Sequence, residues 1–357
     1  MDSLSQIALG SAVAVAVVGK RSSVKKAALW GALAGTLPDL DVFVDYGDDL
    51  SNMVEHRGVS HSLFYLSLLS PLLALLICKI HNELANYRQW LLAIWAVLIT
   101  HPLLDTMTIY GTQLAQPFSD YPFGIGSLFI IDPLYTLPLL FGLGWVIVKG
   151  RSSLAANTAG LVFSSCYLLW SIAAQQHVTQ TVQQQLTGKP YNQVIVLPTA
   201  MNTLLWRVVV MTDTAYYEGF YSILEKETNI EFVVHPLDLE LYRDFQLHPD
   251  VQTLAAFTHG FYALERIGDD VVITDLRMGQ QQQYAFSFVV PEQADMNARR
   301  LPRNLQLSDT LSWVWRTLRG DETAALNQSP HTLTSQVLTV DCAPWPVTEY
   351  NNHLLHL

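Results

Sequence analysis

Charge is scarce in this chain. Asp, Glu, Lys and Arg make up 14% of its 357 residues, against about 25% in ordinary soluble domains. Hydrophobic residues make up 50%, so the composition leans toward the membrane. Cysteine is equally sparse: Cys78, Cys166 and Cys342 supply neither a disulfide framework nor a thiolate metal motif, and they report no redox compartment. Basic side chains are outnumbered, 20 against 31, for a formal net charge of -11. An acidic chain without a basic aromatic stripe argues against a nucleic-acid partner. Walker and dinucleotide fingerprints are absent, as are internal repeats. The N-terminus is not expected to be a cleavable signal. The opening MDSLSQ has an acid where a basic region would sit, and Lys20 and Arg21 follow the apolar segment. That charge order suits an uncleaved first helix with its N-terminus outside.

What the chain has in quantity is apolar sequence, concentrated before residue 175. Six segments are candidates to cross or enter a bilayer: 4–19, 24–38, 62–80, 89–106, 132–148 and 154–174. Crossing needs about 20 predominantly apolar residues, about 17 at the least. The last four approach that length. The first two are short, which predicts a tilted pair or a re-entrant hairpin, and glycines 10, 19, 31 and 35 permit close helix contact. A buried helical hairpin is the plainer alternative.

Loop charge sets the expected orientation. One side receives Lys20, Arg21, Lys25, Lys26, Lys79, Arg88, Lys149 and Arg151; the other receives Asp39, Asp41, Asp45, Asp48, Asp49 and Glu55, with Arg57 as its strong base. Positive charge in short loops marks the cytoplasmic side, so the acidic loops and both termini are expected outside the cytoplasm. The length allows about two domains. Residues 1–175 read as a membrane helical domain and 176–357 as a soluble α+β domain. In the latter, NQVIVLPT, WRVVVMT, EGFYSIL, IEFVVH, DDVVITDL and YAFSFVV are short β-branched and aromatic runs separated by turns. They predict an antiparallel sheet with helices near DVQTLAAFTHGFYALER and LSDTLSWVWRTL. The stretch QQHVTQTVQQQLTG is a helix extension or a linker. Arg207 and Arg277 with Asp213 and Asp275 read as turn and strand-end pairs, and Tyr216, Tyr217, Phe220 and Tyr221 as an aromatic patch or core.

Four polar elements interrupt the apolar half: Asp39 and Asp41 after the second segment, His56-Arg57-Gly58-Val59-Ser60-His61 before the third, His101 to Asp105 closing the fourth, and Asp132 opening the fifth. Antiparallel folding brings all four to one interface. His101 and Asp105 are four apart and share a helical face if Pro102 opens no kink. Imidazoles and carboxylates are ligands suited to zinc, iron or manganese. Ionisable groups near hydrocarbon are costly, and so tend to be paired, liganded or functional. Taken singly, each is explained by loop solvation or capping, and Asp132 and Asp2 sit where a helix dipole favours an acid. Their convergence is what points to a metal. Arg57 is a candidate anion clamp, or a loop salt bridge. Ser60 lacks a nucleophile elbow and reads as an N-cap. Thr106, Thr108, Tyr110, Gly111 and Thr112 shape the site wall.

MDSLSQIALG, GTLPDLD, HRGVSHS, HPLLD with TMTIYGT, and IDPLY resemble a bacterial inner-membrane family described as predicted metal-dependent hydrolases, one branch of which is a LexA-regulated inner-membrane protein. The resemblance covers about residues 1–175. It implies Asp39, Asp41, His56, His61, His101 and Asp105 as candidate ligands. The expected fold is a membrane helical bundle with an extracytoplasmic α+β domain rich in antiparallel strands. The expected activity is metal-dependent hydrolysis, with zinc the first choice of ion, on a phospholipid or lipid-linked phosphoester at the outer face of the inner membrane. Arg57 and Asp132 are the candidate catalytic residues. The alternative is a metal-stabilised membrane scaffold whose soluble domain binds an envelope protein. Transport fits less well, because few ionisable groups lie mid-helix.

Overall fold

The computed structural model describes residues 1–225, 229–280, 283–291, 297–302 and 307–319; Cys342 lies outside them. The N-terminal half is a helical bundle: α1 (Ser3–Val18), α2 (Val24–Thr36), the short α3 (Asp49–Glu55), α4 (Leu63–His81), α5 (Tyr87–Asp105), α6 (Pro133–Lys149) and α7 (Leu154–Gln185). Two helical stretches are long and apolar enough to cross a membrane, Leu63–His81 and Pro133–Gln185, the second comprising α6 and α7. At 1.5 Å per residue α1 and α2 extend only about 24 Å and about 20 Å, short of a hydrocarbon core of about 30 Å. They form a hairpin inside the bundle, with α1 packed against α2, α5, α6 and α7.

Small residues let these helices touch backbone to backbone. A Cβ placed on Gly31 would stand 2.3 Å from the Gly10 carbonyl oxygen, and one on Gly10 2.4 Å from that of Gly31. The α6–α7 pair repeats the device, where a Cβ on Gly142 would meet the Ala156 carbonyl at 2.5 Å and one on Gly160 the Pro138 carbonyl at 2.4 Å. Polar side chains buried between helices find backbone partners: Ser11 donates to Ala28 O at 2.9 Å, Asn157 to Ala12 O at 2.9 Å and Ser164 to Tyr135 O at 2.7 Å.

The basic loops meet at one end of the bundle. Lys26 Nζ and Ser22 Oγ each lie 2.9 Å from Glu83 Oε1, Trp90 Nε1 donates to Glu83 Oε2 at 2.9 Å, and Arg151 donates to Ser22 O at 2.8 Å. Burial pushes the Glu83 carboxyl up, but the bonds from Trp90, Ser22 and Lys26 outweigh it and hold it down at about 2. The Asp/His elements lie at the opposite ends of the same helices, as antiparallel folding requires.

Past residue 175 the glutamine-rich stretch continues α7 to Gln185, so a boundary at 175 falls inside a helix. Gln175 itself ties the halves together, donating to Ile125 O, Gly126 O and Val196 O at 2.9–3.0 Å. The C-terminal half holds two four-stranded antiparallel sheets. One is the meander β1 (Gln193–Pro198), β2 (Leu205–Met211), β3 (Ala215–Ser222) and β4 (Phe232–Pro236). After α8 (Leu239–Phe245) and α9 (Pro249–Phe257) comes the second, from β5 (Tyr262–Ile267), β6 (Asp270–Asp275), β9 (Ser287–Val290) and β10 (Arg299–Arg300) in the order β10-β9-β6-β5. A two-stranded ribbon, β7 (Gly279–Gln280) with β8 (Gln283–Tyr284), branches from it, and α10 (Leu307–Leu318) closes the described chain.

Three local expectations change. The helix expected through DVQTLAAFTHGFYALER ends at Phe257, because His259 and Gly260 adopt positive φ of 54° and 85° and turn the chain into β5. Arg207 pairs with Glu218 rather than Asp213, while Arg277 does pair with Asp275 at 2.8 Å. Tyr216, Tyr217 and Tyr221 are core residues, and Phe220 packs edge-on against Trp313.

Replacing Gly31 by valine should force α1 from α2 and cost about 1–3 kcal/mol or more, by overpacking against backbone that has no room to move. Gly144→Ala, where an added Cβ meets nothing within 4 Å, should cost nothing. Thermal unfolding of both variants in detergent checks the contrast.

Candidate metal centre

Four side chains from three elements converge where the bundle meets the β-rich half. Asp39 comes from a 3-10 turn, Pro38–Phe43, that runs straight on from α2. His61 ends a second 3-10 turn, Val59–His61, just before α4. His101 and Asp105 lie in the last turn and a half of α5, which remains helical through Pro102 and so keeps both on one face. His61 Nε2, His101 Nε2, Asp39 Oδ1 and Asp105 Oδ2 all lie within 4.8 Å of one another. His61 Nε2 is 3.2 Å from His101 Nε2 and 3.5 Å from Asp39 Oδ1, and His101 Nε2 is 3.4 Å from the same oxygen. Asp105 Oδ2 is 3.3 Å from each imidazole.

The hydrogen bonds around the imidazoles assign their tautomers. His101 Nδ1 is 2.7 Å from Gly35 O, an acceptor only, so the proton sits on Nδ1. Ser60 donates its hydroxyl to Asp41 Oδ2 at 2.5 Å, so Ser60 Oγ receives the Nδ1 proton of His61 at 2.8 Å. With their Nδ1 protons so committed, both rings turn Nε2 inward, and in the neutral form each would present a lone pair there. No hydrogen bond reaches the buried Asp105 Oδ2 either. Two such lone pairs and a carboxylate oxygen facing inward repel unless a proton or a metal ion lies among them. A tetrahedral ion with ligand bonds of about 2.0–2.1 Å would hold its ligand atoms about 3.3–3.4 Å apart, close to the 3.2–3.5 Å that separates the two imidazole nitrogens from each other and from the two carboxylate oxygens. The donor set fits a divalent metal.

Behind this group stands a supporting layer. Asp41 and His56 lie outside the four-atom group and bind one another, His56 Nδ1 to Asp41 Oδ1 at 2.8 Å. Asp41 Oδ2 also accepts from the backbone N–H of Arg57 at 2.9 Å. Burial works against the charge on Asp41, but the bonds from His56, Ser60 and Arg57 outweigh it and hold its carboxyl below the usual range. Asp41 thus fixes the His61 tautomer through Ser60, the outer-layer role that carboxylates commonly play behind metal-binding imidazoles. The helix cap expected of Ser60 falls instead to Ser62, which accepts from Tyr65 N at 3.3 Å.

Arg57 is buried beside the group. Its Nη2 lies 3.5 Å from Asp105 Oδ1, its Nη1 3.4 Å from Thr108 Oγ1, and its guanidinium 4.9 Å from the Tyr110 ring centre, while Nε has no hydrogen-bond partner. Its backbone φ is 67°, a conformation uncommon outside glycine. Asp105 Oδ1 also pairs with the α-amino group of Met1. Asp132 is placed as the N-cap of α6, accepting from Leu134 N and from the Tyr167 hydroxyl at 2.9 Å each. It makes no contact with the four ligand residues among those described. Two supports had no strong sequence signal. Gly35 contributes only a carbonyl, and Gln6 donates to His101 O at 3.2 Å from inside an apolar helix. The lone amide in that helix was the one clue to Gln6.

Two measurements follow from this geometry. His61→Ala and Asp105→Ala should each abolish stoichiometric metal in detergent-purified protein by elemental analysis, whereas an unchanged content would remove the site. Ser60→Ala should keep the ligand set but free the His61 ring, weakening metal affinity about 10–100-fold in a competition titration with a chromophoric chelator.

Residues 1–178 match the family described as YdjM inner membrane protein. The chain is also 25% identical over 222 residues to the Bacillus subtilis (strain 168) protein named "Uncharacterized protein YfhP", an alignment that covers 60% of this chain and 64% of that relative's length. No solved structure matches. The N-terminal half of this chain is thus similar to the YdjM inner membrane proteins, and it carries an Asp/His/His/Asp cluster consistent with metal coordination beside a β-rich C-terminal half.

Proposed function

We propose that this protein is a membrane-bound metal-dependent hydrolase of phospholipids or lipid-linked phosphoesters at the outer face of the inner membrane. The observation that carries the reading is Arg57: a buried guanidinium beside the ligand cluster, with an N–H that nothing in the described chain accepts. The guanidinium already reaches Asp105 and Thr108, so the Nε–H is the donor left over, and a buried donor without an acceptor is costly. A reaction that builds negative charge does use it.

A divalent ion at this site, zinc first and iron or manganese next, would lower the pKa of a water toward neutrality and polarise a phosphoryl oxygen. The chain's own residues do the rest. Asp41 and Ser60 keep His61 in its ligating tautomer. Gly35 does the same for His101. Arg57 meets charge developing on the substrate, and Tyr110, donating to Met53 O at 2.7 Å, closes the site from water. The outer-face placement draws on the basic loops gathered at the other end of the bundle, which also puts the β-rich domain outside the cytoplasm.

A metal-stabilised scaffold, with the soluble domain bound to an envelope protein, has its own supporting observation. The four protein atoms, all within 4.8 Å of one another, are enough ligands to fill a four-coordinate shell. Hydrolysis requires that shell to expand or Asp39 to yield, and Asp39 is the one member of the four that is not fully buried.

Metal-loaded protein in nanodiscs should release phosphate or headgroup from a panel of phospholipids and lipid-linked phosphoesters. Arg57→Gln should retain its metal yet lose about 10²–10³-fold in kcat, the usual effect of removing one transition-state donor. Full metal occupancy with no turnover across the panel would leave the scaffold standing.

A further inference from the structure

The metal centre has one accessible side. His61, His101 and Asp105 are sealed, and Asp39 alone is reached from outside, with 22% of its side chain exposed. Toward the β-rich half the way is closed. The Tyr110 ring lies against His56 at 5.6 Å, Arg57 at 4.9 Å, and Phe257 and Phe286 at 5.7 and 5.8 Å, and Arg277 donates to Tyr110 O at 3.4 Å. The soluble half therefore roofs the site.

On the Asp39 side the surface is apolar. Side chains three apart stack on a 3-10 turn, and Pro38–Phe43 sorts accordingly. Pro38 and Asp41 form the buried column. Leu40 and Phe43 form the outward column, Phe43 with 83% of its surface exposed. Asp39 lies at the margin, while Val42, 65% exposed, adds to the outward side. The outward column continues a strip on α2, where Leu29 and Leu33, four apart and on one face, are also exposed. Val59, next to Ser60, and Val44 widen it. Exposed Leu, Val and Phe gathered in this way form the kind of apolar surface that marks a membrane or partner contact.

We infer that Leu40, Val42 and Phe43 lie in the lipid interface and that the metal centre opens sideways into the bilayer, so that what reaches Asp39 is an amphiphile whose chain stays in the membrane. The placement of the strip stands on geometry alone, and the naming of the amphiphile as substrate rests on the hydrolytic reading.

The test separates the two. In full-length protein with its three cysteines changed to serine, a nitroxide is attached at Phe43→Cys and the protein is placed in phospholipid nanodiscs. Leu72→Cys on the exposed face of α4 and Asp269→Cys in the β5–β6 turn serve as lipid and water controls. The Phe43 label should relax more with oxygen than with a water-soluble nickel chelate, as the Leu72 label does. A label that follows Asp269 instead overturns the inference. The double variant Val42→Ser, Phe43→Ser should bind metal as before and raise KM for vesicle-borne substrate about tenfold, leaving a short-chain soluble analogue unaffected. Equal loss on both substrates overturns lateral access. If the parent protein cleaves neither, the hydrolytic reading falls, and the label alone decides where the strip lies.

Discussion

Two imidazole Nε2 atoms and one carboxylate oxygen face each other inside this protein at 3.2–3.3 Å, and much of the architecture exists to hold them there. Without a proton or a metal ion among them the arrangement is repulsive, and each ring is denied the escape of turning around. His101 is pinned by a backbone carbonyl of α2, and His61 by a serine whose own proton is committed to Asp41. The first pin works only if α2 lies close to α5. That in turn depends on α1, which packs against both, coming within van der Waals reach of α2 at Gly10 and Gly31. Small residues in the bundle and tautomers at its end are thus one construction.

The soluble half is part of the same construction. It is not merely tethered by α7. Leu50 and Met53 of α3 and Tyr110 beyond α5 share a core with Leu254, Phe257, Ile273 and Phe288 of the β-rich half. Tyr110 stands at the seam, touching Arg57 and His56 on one side and Phe257 on the other. Movement of the β-rich half would be felt at the guanidinium within one side chain's length. The unusual backbone of Arg57, at φ 67°, is held by its N–H on Asp41 and its carbonyl accepting from Gln113 N at 2.9 Å. Strain of this kind persists where neighbouring contacts over-determine it, and such places are commonly functional.

Much of this was legible in the residues. Long apolar runs separated by charged loops gave the helices, because burial in lipid demands both length and internally satisfied backbone. Alternating β-branched runs gave most of the strands. The Asp/His elements were legible because charge is so rare in this half that each occurrence has to be explained. Local pattern failed where a single backbone dihedral decided the outcome. FYALER looks helical and is a strand, since the turn at His259 and Gly260 redirects it. It failed again for Ser60 and Ser62, two serines of equal capping propensity, of which only the tertiary neighbours select one to cap and the other to orient an imidazole.

By itself the sequence determined that this is a membrane-embedded helical half joined to a β-rich half, and that Asp and His residues gather at one end of the helices. Those facts follow from hydropathy, charge placement and antiparallel parity, which are properties of the chain order. Only the tertiary structure decided which of the candidates face one point. Asp39, His61, His101 and Asp105 do, while Asp41 and His56 pair behind them and Asp132 caps a helix. The reason is geometric. Ligation depends on which nitrogen or oxygen points inward to within a few tenths of an ångström, and side-chain direction is set by helix packing and by neighbours sixty residues away, which no local pattern encodes.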